Sequence, residues 1–284
     1  SCSLALFKEV KDRGNTLVME SINCHQNDCK SILDKEYAKL GLDFKAQINE
    51  DNILDENTKL ALCDYVFSPS PLVSKSLIKN NVPERKIIQT SYGLEKQQQF
   101  TLNTAKKAKN EPITAIFIGR VGVRKGIHLL LDYWQKAKVN GTLKIIGNVE
   151  ENIQDLIAPY RDQSNIEFIS FTSDLKKVYA DADFFILPSL EEGSPLVTYL
   201  ALGAGLPCIL SPMAGEGVIT HKEQGFIINP SNEDEWVLTI QQLSSSQTLR
   251  DRQSKAALTL SEQFLWENIG RQRNHALLQR LEGR

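Results

Sequence analysis

Short apolar runs alternate with amphipathic stretches through most of the chain. In the second half, runs of this length favour parallel strands that are buried on both faces. The predicted strands are Ile113–Ile118, Thr142–Ile146, Ile166–Ile169, Phe184–Leu187, Cys208–Leu210 and Phe226–Ile228. Apolar residues at helical spacing lie between them, at residues 126–138, 151–160, 174–181 and 195–204. The alternation predicts a Rossmann-like domain with six parallel strands and helices on both faces.

The first hundred residues show the same alternation on a smaller scale. Strands are predicted at residues 16–20, 65–68 and 86–90, and helices at 4–11, 28–40, around 60–62 and up to about 80. A doubly wound domain usually has about five or six strands. We therefore interpret this part as an incomplete α/β domain whose beginning lies upstream of Ser1.

The stretch 96–111 is polar and weakly periodic, which predicts a linker. The expected organisation is a partial domain at 1–95, the linker at 96–111, the Rossmann-like domain at 112–264 and a closing helix at 265–284 that returns toward the first domain. Two long helices are predicted near the end, through 249–264 and 266–281.

Composition and charge disfavour several classes of function. The chain has 284 residues and a formal net charge of −2, which gives no electrostatic reason to expect a nucleic-acid partner. The cysteines match no common zinc spacing and are expected to be reduced thiols in a cytoplasmic protein. They are Cys2, Cys24, Cys29, Cys63 and Cys208. No apolar run has the length that a membrane-spanning helix needs.

The first loop of the second domain carries the strongest local chemistry. Its sequence, GRVGVRKG, holds Arg120, Arg124 and Lys125 between glycines at the start of a helix. Cations and backbone N–H groups at a helix N-terminus favour an anion. The spacing matches neither the dinucleotide fingerprint nor a Walker A loop, so nicotinamide cofactors and P-loop hydrolysis are disfavoured. A solvated basic turn is the alternative.

A second loop follows the strand Phe184–Leu187, with the sequence PSLEEGSPL. Ser194 is expected to cap a helix that starts at Pro195. Leu196, Val197, Leu200 and Ala201 are expected on the buried side of that helix. Both loops belong to the carboxyl edge of the sheet, where two helix starts are suited to hold one diphosphate.

These segments carry a resemblance to a known family. FIGRVGVRKGIHLLL, IEFISFTSDLKKVYADADFFILPSLEEGSPL and ALGAGLPCILS resemble the donor-binding domain of the retaining glycosyltransferases of family four, which have the GT-B fold and are also called glycosyl transferases group 1. Upstream, CDYVFSPSPLVSKSLIKNNVPERKIIQTSYGLE is similar to the end of that family's first domain, on the acceptor side. The resemblance implies an α/β protein with a nucleotide-sugar-binding domain preceded by a partial second domain.

The resemblance also implies roles for individual residues. Arg120 and Lys125 would neutralise the diphosphate of a nucleotide-sugar, and Glu192 would accept hydrogen bonds from hydroxyls of the donor sugar. Backbone N–H groups of Ser194 and Leu196 would approach a phosphate. The remaining positions of the implied donor-binding set are Gly119, Gly122, Gly193, Pro195 and Leu200. Glu191 is interpreted as a solvent-facing neighbour of Glu192.

One position departs from the family pattern. A second glutamate, usually described as binding the ribose hydroxyls, is replaced here by Leu200, eight positions after Glu192. Leucine accepts no hydrogen bond, so donor binding is expected to be weaker or differently arranged. His25 is a candidate for a place near the reacting centre, against a structural or surface role.

The implied reaction moves a sugar from a nucleotide-sugar to a hydroxyl of a glycan, lipid-linked or small-molecule acceptor, with retention of configuration, in glycan or polysaccharide biosynthesis. No metal and no cofactor is expected. Two alternatives stay open: a phosphorylase, and a degenerate non-catalytic nucleotide-sugar-binding protein or scaffold, which Leu200 and the short first domain favour. Peripheral association with the inner face of the membrane also stays open.

Overall fold

The computed structural model describes residues 3–42, 48–96, 111–170, 172 and 174–283. The chain divides into two compact units. The first unit comprises Ser1–Tyr92, Glu191–Ser194 and Glu267–Arg284, and the second comprises Gly93–Leu190 and Pro195–Trp266. Most of the predicted linker, residues 97–110, lies outside the described residues, as does Cys2.

The first unit is built on a parallel sheet of three strands. They are β1 (Val18–Glu20), β2 (Tyr65–Ser68) and β3 (Ile87–Gln89), in that spatial order. The helices are α1 (Leu4–Asp12), α2 (Gln26–Leu40), α3 (Glu50–Leu62) and α4 (Pro71–Lys79). Val66, Val73 and Leu77 are fully buried at its centre. The three strands predicted for this part of the sequence are confirmed.

The last helix, α12 (Trp266–Glu282), packs its main part on the first unit. The Tyr65 hydroxyl donates a hydrogen bond of 2.5 Å to the carbonyl oxygen of Arg280. The guanidinium of Arg273 lies 4.4 Å from the centre of the Phe67 ring and pairs with Glu20. These contacts fix α12 against β1 and β2.

The second unit contains a parallel sheet of six strands. They are β4 (Ile113–Ile118), β5 (Gly141–Ile146), β6 (Ile166–Ile169), β7 (Phe184–Leu187), β8 (Cys208–Leu210) and β9 (Gly225–Ile227). The helices are α5 (Ile127–Ala137), α6 (Gln154–Arg161), α7 (Leu175–Ala180), α8 (Leu196–Gly203), α9 (Pro212–Gly215), α10 (Glu233–Ser245) and α11 (Gln247–Ser261). The predicted strands are confirmed to within one residue at each boundary.

The strand order in this sheet is β6-β5-β4-β7-β8-β9. The first strand, β4, is therefore central, with β5 on one side and β7 on the other. From β4 the chain adds β5 and β6 on one side, and from β7 it adds β8 and β9 on the other side. In open α/β sheets, ligands bind outside the carboxyl ends of the strands at such a switch point.

The sequence prediction was wrong about the helices near the end of the second unit. It gave one helix before Trp266, whereas α10 precedes α11 and a 3₁₀ turn at Glu262–Phe264 follows it. The signal for α10 is present: Asn232 caps its first turn, and Trp236, Ile240 and Leu243 follow at helical spacing and are buried.

Among the described residues, no helix combines the length and the low polarity required to cross a bilayer.

Candidate functional site

The loop that joins β4 to α5, residues 119–126, lies at the switch point of the six-stranded sheet. It ends in a 3₁₀ turn, Val123–Lys125, and in Gly126, which is the N-cap residue of α5 and has a φ of 70°. A Cβ at Gly126 would overlap the carbonyl oxygen of Pro188. Both the positive φ and this close approach require glycine. We call residues 119–126 the anion loop.

The chain after β7 is attached directly to the anion loop. The backbone N–H of Leu190 donates a hydrogen bond of 2.9 Å to the carbonyl oxygen of Arg124. Together with the approach of Gly126 to Pro188, this bond joins the loops after β4 and β7. The structure therefore brings together the two segments that the sequence singled out, as far as Leu190.

The segment after β5 supports the anion loop from the other side. The N–H of Val121 donates to the carbonyl oxygen of Asn148, and the N–H of Glu150 donates back to the carbonyl oxygen of Val121, both at 3.0 Å. Gly147, with a φ of 149°, lies so close to Gly119 that a Cβ would overlap its carbonyl oxygen. Contacts on two sides thus hold the loop.

The two cations assigned to the diphosphate differ in exposure. The side chain of Arg120 is 70% exposed, and its Nε lies 3.8 Å from Oε1 of Glu150. Lys125 is half-buried, and its Cε and Nζ lie 3.5 and 3.9 Å from the point where a Gly119 Cβ would stand. Because exposed ion pairs contribute little, Glu150 holds Arg120 only weakly. Lys125 lies across the end of β4.

Glu150 was missed by the sequence reasoning. A signal for it existed, because Glu150 follows β5 on the same carboxyl edge of the sheet as the anion loop. It also lies against Gly122, where an added Cβ would overlap the carboxylate of Glu150. A residue larger than glycine at position 122 would therefore displace Glu150.

The structure corrects the interpretation of Glu191 as solvent-facing. Glu191 is 0% exposed, and its Oε1 accepts a hydrogen bond of 3.3 Å from the backbone N–H of Cys24 in the first unit. Glu192 is also buried, at 5% exposure, and its carbonyl oxygen lies 3.7 Å from the Sγ of Cys24. Residues 191–194 are thus packed against the segment after β1.

Gly193 explains why this loop needs a glycine. A Cβ at Gly193 would overlap the carbonyl oxygen of Ile22. The close approach of the two backbones, rather than an unusual φ, excludes a larger residue here. The Gly-Ser-Pro sequence therefore serves packing as well as its implied role in donor binding.

The expected start of α8 was wrong by one residue. Pro195 is the N-cap residue, with extended backbone at φ −69° and ψ 123°, and its own side chain makes no capping hydrogen bond. Ser194 therefore stands one position before the N-cap residue rather than at it. The helix begins at Leu196.

The expected buried face of α8 was also wrong, except at Ala201. Leu196 is 55% exposed, and Val197 and Leu200 are half-buried. The buried residues include Thr198, whose Oγ1 donates a hydrogen bond of 3.1 Å to the carbonyl oxygen of Ala214. Tyr199 is buried as well, with its ring edge-on to Phe264 at 5.0 Å. Leu200 therefore lies outside the fully buried core.

His25 has a structural role in the first unit. Its ring is 1% exposed, and Nδ1 accepts a hydrogen bond from the N–H of Asn27. Nε2 lies 2.9 Å from Oδ1 of Asn57 and 3.4 Å from Oε2 of Glu56. Both ring nitrogens are therefore engaged within the fold, and the structural alternative for His25 is supported.

Within the described ranges, no cluster of three or more histidine, cysteine, aspartate or glutamate residues is arranged to hold a metal ion.

Comparisons with known proteins agree with the fold and the motifs. The profile described as "Glycosyl transferases group 1" matches residues 98–259. An uncharacterized glycosyltransferase of Haemophilus influenzae is 32% identical over 172 residues, which are 58% of this chain and 48% of that protein. A putative colanic acid biosynthesis glycosyltransferase, WcaL of Salmonella typhimurium, is 25% identical over 183 residues, which are 60% of this chain and 45% of that protein.

Among solved structures, Anabaena Alr3699/HepE in complex with UDP-glucose superposes with a TM-score of 0.76 at 16% identity, over 97% of this chain and 76% of that chain. At this identity the likeness concerns the fold, which is GT-B. The chain spans about half the length of the curated relatives it matches. Since the profile covers more than half of the sequence, the chain belongs to the glycosyl transferases group 1 family.

Proposed function

We propose that the protein is a retaining glycosyltransferase of family four that transfers a sugar from a nucleotide-sugar donor to a hydroxyl acceptor in polysaccharide biosynthesis. One observation carries the proposal: the anion loop, with Arg120 and Lys125, lies at the switch point between β4 and β7. In this fold class, that position is where a nucleotide is bound. The relatives described as glycosyltransferases support the same reaction class.

In this proposal, Arg120 and Lys125 bind the diphosphate and stabilise the nucleoside diphosphate as it leaves. Lys125 directly precedes Gly126, the N-cap residue of α5, and the dipole of this helix adds a favourable term for negative charge at its N-terminus. The transition state of glycosyl transfer places negative charge on the leaving phosphate. These groups therefore perform the neutralisation that a divalent metal ion performs in other enzymes.

We propose that Glu192 accepts hydrogen bonds from hydroxyls of the donor sugar, as the family resemblance implies. A carboxylate that is only 5% exposed and held in a packed loop is oriented before substrate arrives. Such preorganisation reduces the ordering cost of binding. Gly193, Ser194, Pro195 and Leu196 shape the backbone that follows.

In this proposal the acceptor is a hydroxyl group of a glycan, of a lipid-linked compound or of a small molecule. We propose that residues 1–95 belong to the acceptor-side domain and that residues 112–264 form the donor domain. The profile match over residues 98–259 supports the assignment of the donor domain.

The test is donor turnover by the purified chain. Uridine, guanosine and adenosine diphosphate sugars are incubated with the protein in EDTA, with and without sugar or lipid-linked acceptors, and the anomeric configuration of the product is followed by NMR. We expect release of one nucleoside diphosphate with retention of configuration. An inverted product would contradict the retaining assignment. Binding of a nucleoside diphosphate without turnover of any donor would favour the non-catalytic alternative.

The matched variants are Arg120→Gln with Lys125→Gln, and Lys176→Gln with Lys177→Gln as control. The control removes the same charge from an exposed part of the second unit, in α7. Turnover should fall at least a hundredfold in the first double variant and stay within about twofold of wild type in the control.

A further inference from the structure

A cavity of about 660 Å³ lies at the amino-terminal edge of the three-stranded sheet in the first unit. Its wall includes the start of β2, the residues just before β3, and the ends of α3 and α12. Residues 22–25, which contact the loop at Glu191, follow the opposite, carboxyl-terminal end of β1. The cavity is therefore a different place from the candidate functional site.

The cavity is strongly cationic. Four of its lining side chains carry a positive charge: Lys11, Arg85, Lys86 and Arg280. Asp64 is the one carboxylate among the described lining residues. Its Oδ2 accepts hydrogen bonds from the Nζ of Lys11 at 2.7 Å and from the N–H of Leu17 at 2.9 Å. The negative charge of Asp64 thus neutralises the positive charge of Lys11. The charges of Arg85, Lys86 and Arg280 remain.

Those three cations are not matched by carboxylates. Lys86 donates through Nζ to the carbonyl oxygen of Ala61 at 2.9 Å, which is a neutral acceptor. Arg85 and Arg280 are exposed, and in the part of the chain that the structure describes neither forms an ion pair. Two guanidinium groups with free donors therefore face one concave surface.

Helix dipoles provide a simpler explanation of these cations, because α1, α3 and α12 all end at the cavity. A helix C-terminus carries about half a negative charge, so three of them supply roughly one and a half. That is smaller than the three positive charges left after Asp64 is paired with Lys11. The cavity keeps a positive balance, and the dipoles do not account for it.

Two further groups leave this positive balance unchanged and hold part of the wall in place. Burial raises the pKa of the Cys63 thiol to about 11, so this thiol adds no negative charge near neutral pH. The hydrogen bond from the Tyr65 hydroxyl to the Arg280 carbonyl oxygen holds the end of α12 beside β2. The backbone that carries Arg280 is thus held in place before any ligand arrives.

We propose that this cavity binds a phosphate-bearing anion through Arg85, Lys86 and Arg280. Guanidinium groups suit phosphate because they form paired, charge-assisted hydrogen bonds with its oxygens. The volume exceeds that of inorganic phosphate and lies in the range of small-molecule sites. A phosphorylated metabolite and a phospholipid headgroup share this chemistry.

The experiment compares two double variants. The cavity variant combines Arg85→Gln and Arg280→Gln, and the control combines Lys75→Gln and Arg271→Gln. Lys75 and Arg271 are exposed, belong to the same unit and do not line the cavity, so both double variants lose the same charge. Pyrophosphate binding is measured by calorimetry at low ionic strength. Co-sedimentation with phosphatidylglycerol vesicles, against phosphatidylcholine vesicles, tests the lipid source. Binding of either probe to the anion loop affects both variants equally.

We expect wild type and control to bind at least one probe and the cavity variant to bind it at least about tenfold more weakly. Loss in the pyrophosphate arm identifies a soluble phosphate compound, and loss in the vesicle arm alone identifies a lipid headgroup. Equal binding by both variants in both arms would overturn the proposal, as would no binding by wild type. If the double variant loses its melting transition, each single variant takes its place.

Discussion

Gly126 allows the anion loop to lie directly against the chain after β7. Its φ of 70° is strained for other residues, and a Cβ would overlap the carbonyl oxygen of Pro188. We expect Gly126→Ala to lower the free energy of unfolding by about 2–4 kcal/mol, since backbone must shift.

Gly270→Ala is the matched control for this prediction. Gly270 lies inside α12, and a Cβ there meets no atom within 4 Å. Alanine is favoured over glycine inside a helix, so stability should rise by about 0.5–1 kcal/mol. Urea denaturation of both variants measures the difference. Equal stability of Gly126→Ala and wild type would show that the loop is not constrained as described.

A substitution of Leu200 can show whether position 200 faces the ribose of a bound nucleotide. Because the side chain is half-buried, a glutamate there keeps contact with solvent and need not be paired inside the core. We expect Leu200→Glu to tighten binding of uridine diphosphate relative to its 2′-deoxy analogue, by about threefold to tenfold, through hydrogen bonds to the ribose hydroxyls.

Calorimetry with the two nucleotides gives this ratio, and Leu200→Met serves as the uncharged control. The free energy of unfolding should change by less than about 1 kcal/mol in both variants. A ratio that stays at the wild-type value in a stable Leu200→Glu protein would mean that position 200 does not face the ribose.

At the scale of elements, α10 packs on α5 around the large side chain of Trp236, beside a hydrogen bond from Gln241 to the carbonyl oxygen of Ala137. Trp236 is fully buried, its ring stacks on Tyr133 at 6.1 Å, and its Nε1 donates to the carbonyl oxygen of Asn229 at 2.9 Å. Trp236→Ala should therefore cost about 3–5 kcal/mol. Leu238, in the same helix, is 63% exposed. Leu238→Ala should change stability by less than about 0.5 kcal/mol.

Chemical denaturation of the two variants tests whether α10 is part of the core of the second unit. Similar, small losses for Trp236→Ala and Leu238→Ala would contradict the packing described for α10.

Asp28 joins α2 to α4 and makes the stability of the first unit pH-dependent. Burial raises the pKa of Asp28, but hydrogen bonds from Lys79, Ser76 and Asn80 outweigh it and hold the pKa below its ordinary value. Since the folded pKa is depressed, this stabilisation is present above the unfolded pKa and is lost as the pH falls through the folded one.

We expect Asp28→Asn to lower the free energy of unfolding by about 1 kcal/mol at pH 7, because Lys79 is exposed and its pair is screened. The difference from wild type should shrink as the pH falls below about 4. Denaturation curves between pH 7 and pH 3 measure it. A difference that is constant across this range would show that the charge of Asp28 contributes nothing.

Local patterns predicted the strands of the second unit well, whereas contacts distant in sequence were not predictable. Phe184–Leu187 is wholly apolar because it is buried on both faces, and that alone marks a parallel strand. The burial of Glu191 depends on Cys24, which lies 167 positions away. The burial of the Thr198 side chain depends on its hydrogen bond to the carbonyl oxygen of Ala214. Such partners are set by the tertiary fold and leave no local signature.

At the scale of the whole molecule, the position of the anion loop at the switch point of the sheet leads to one central prediction. A nucleoside diphosphate should bind through its phosphates at the carboxyl ends of β4 and β7. Nothing in this claim requires turnover, so it holds for an enzyme and for a non-catalytic binding protein alike.

The measurement that tests this claim most directly is calorimetric titration with uridine, guanosine and adenosine diphosphates and with the matching nucleosides. Wild type and the Lys176→Gln, Lys177→Gln control should bind one diphosphate at least about tenfold more tightly than its nucleoside. Arg120→Gln with Lys125→Gln should remove that preference while leaving nucleoside binding within about twofold, because each lost charge-assisted contact costs about 1.5–3 kcal/mol. Equal losses for diphosphate and nucleoside, or no binding of any diphosphate at millimolar concentration, would contradict the account.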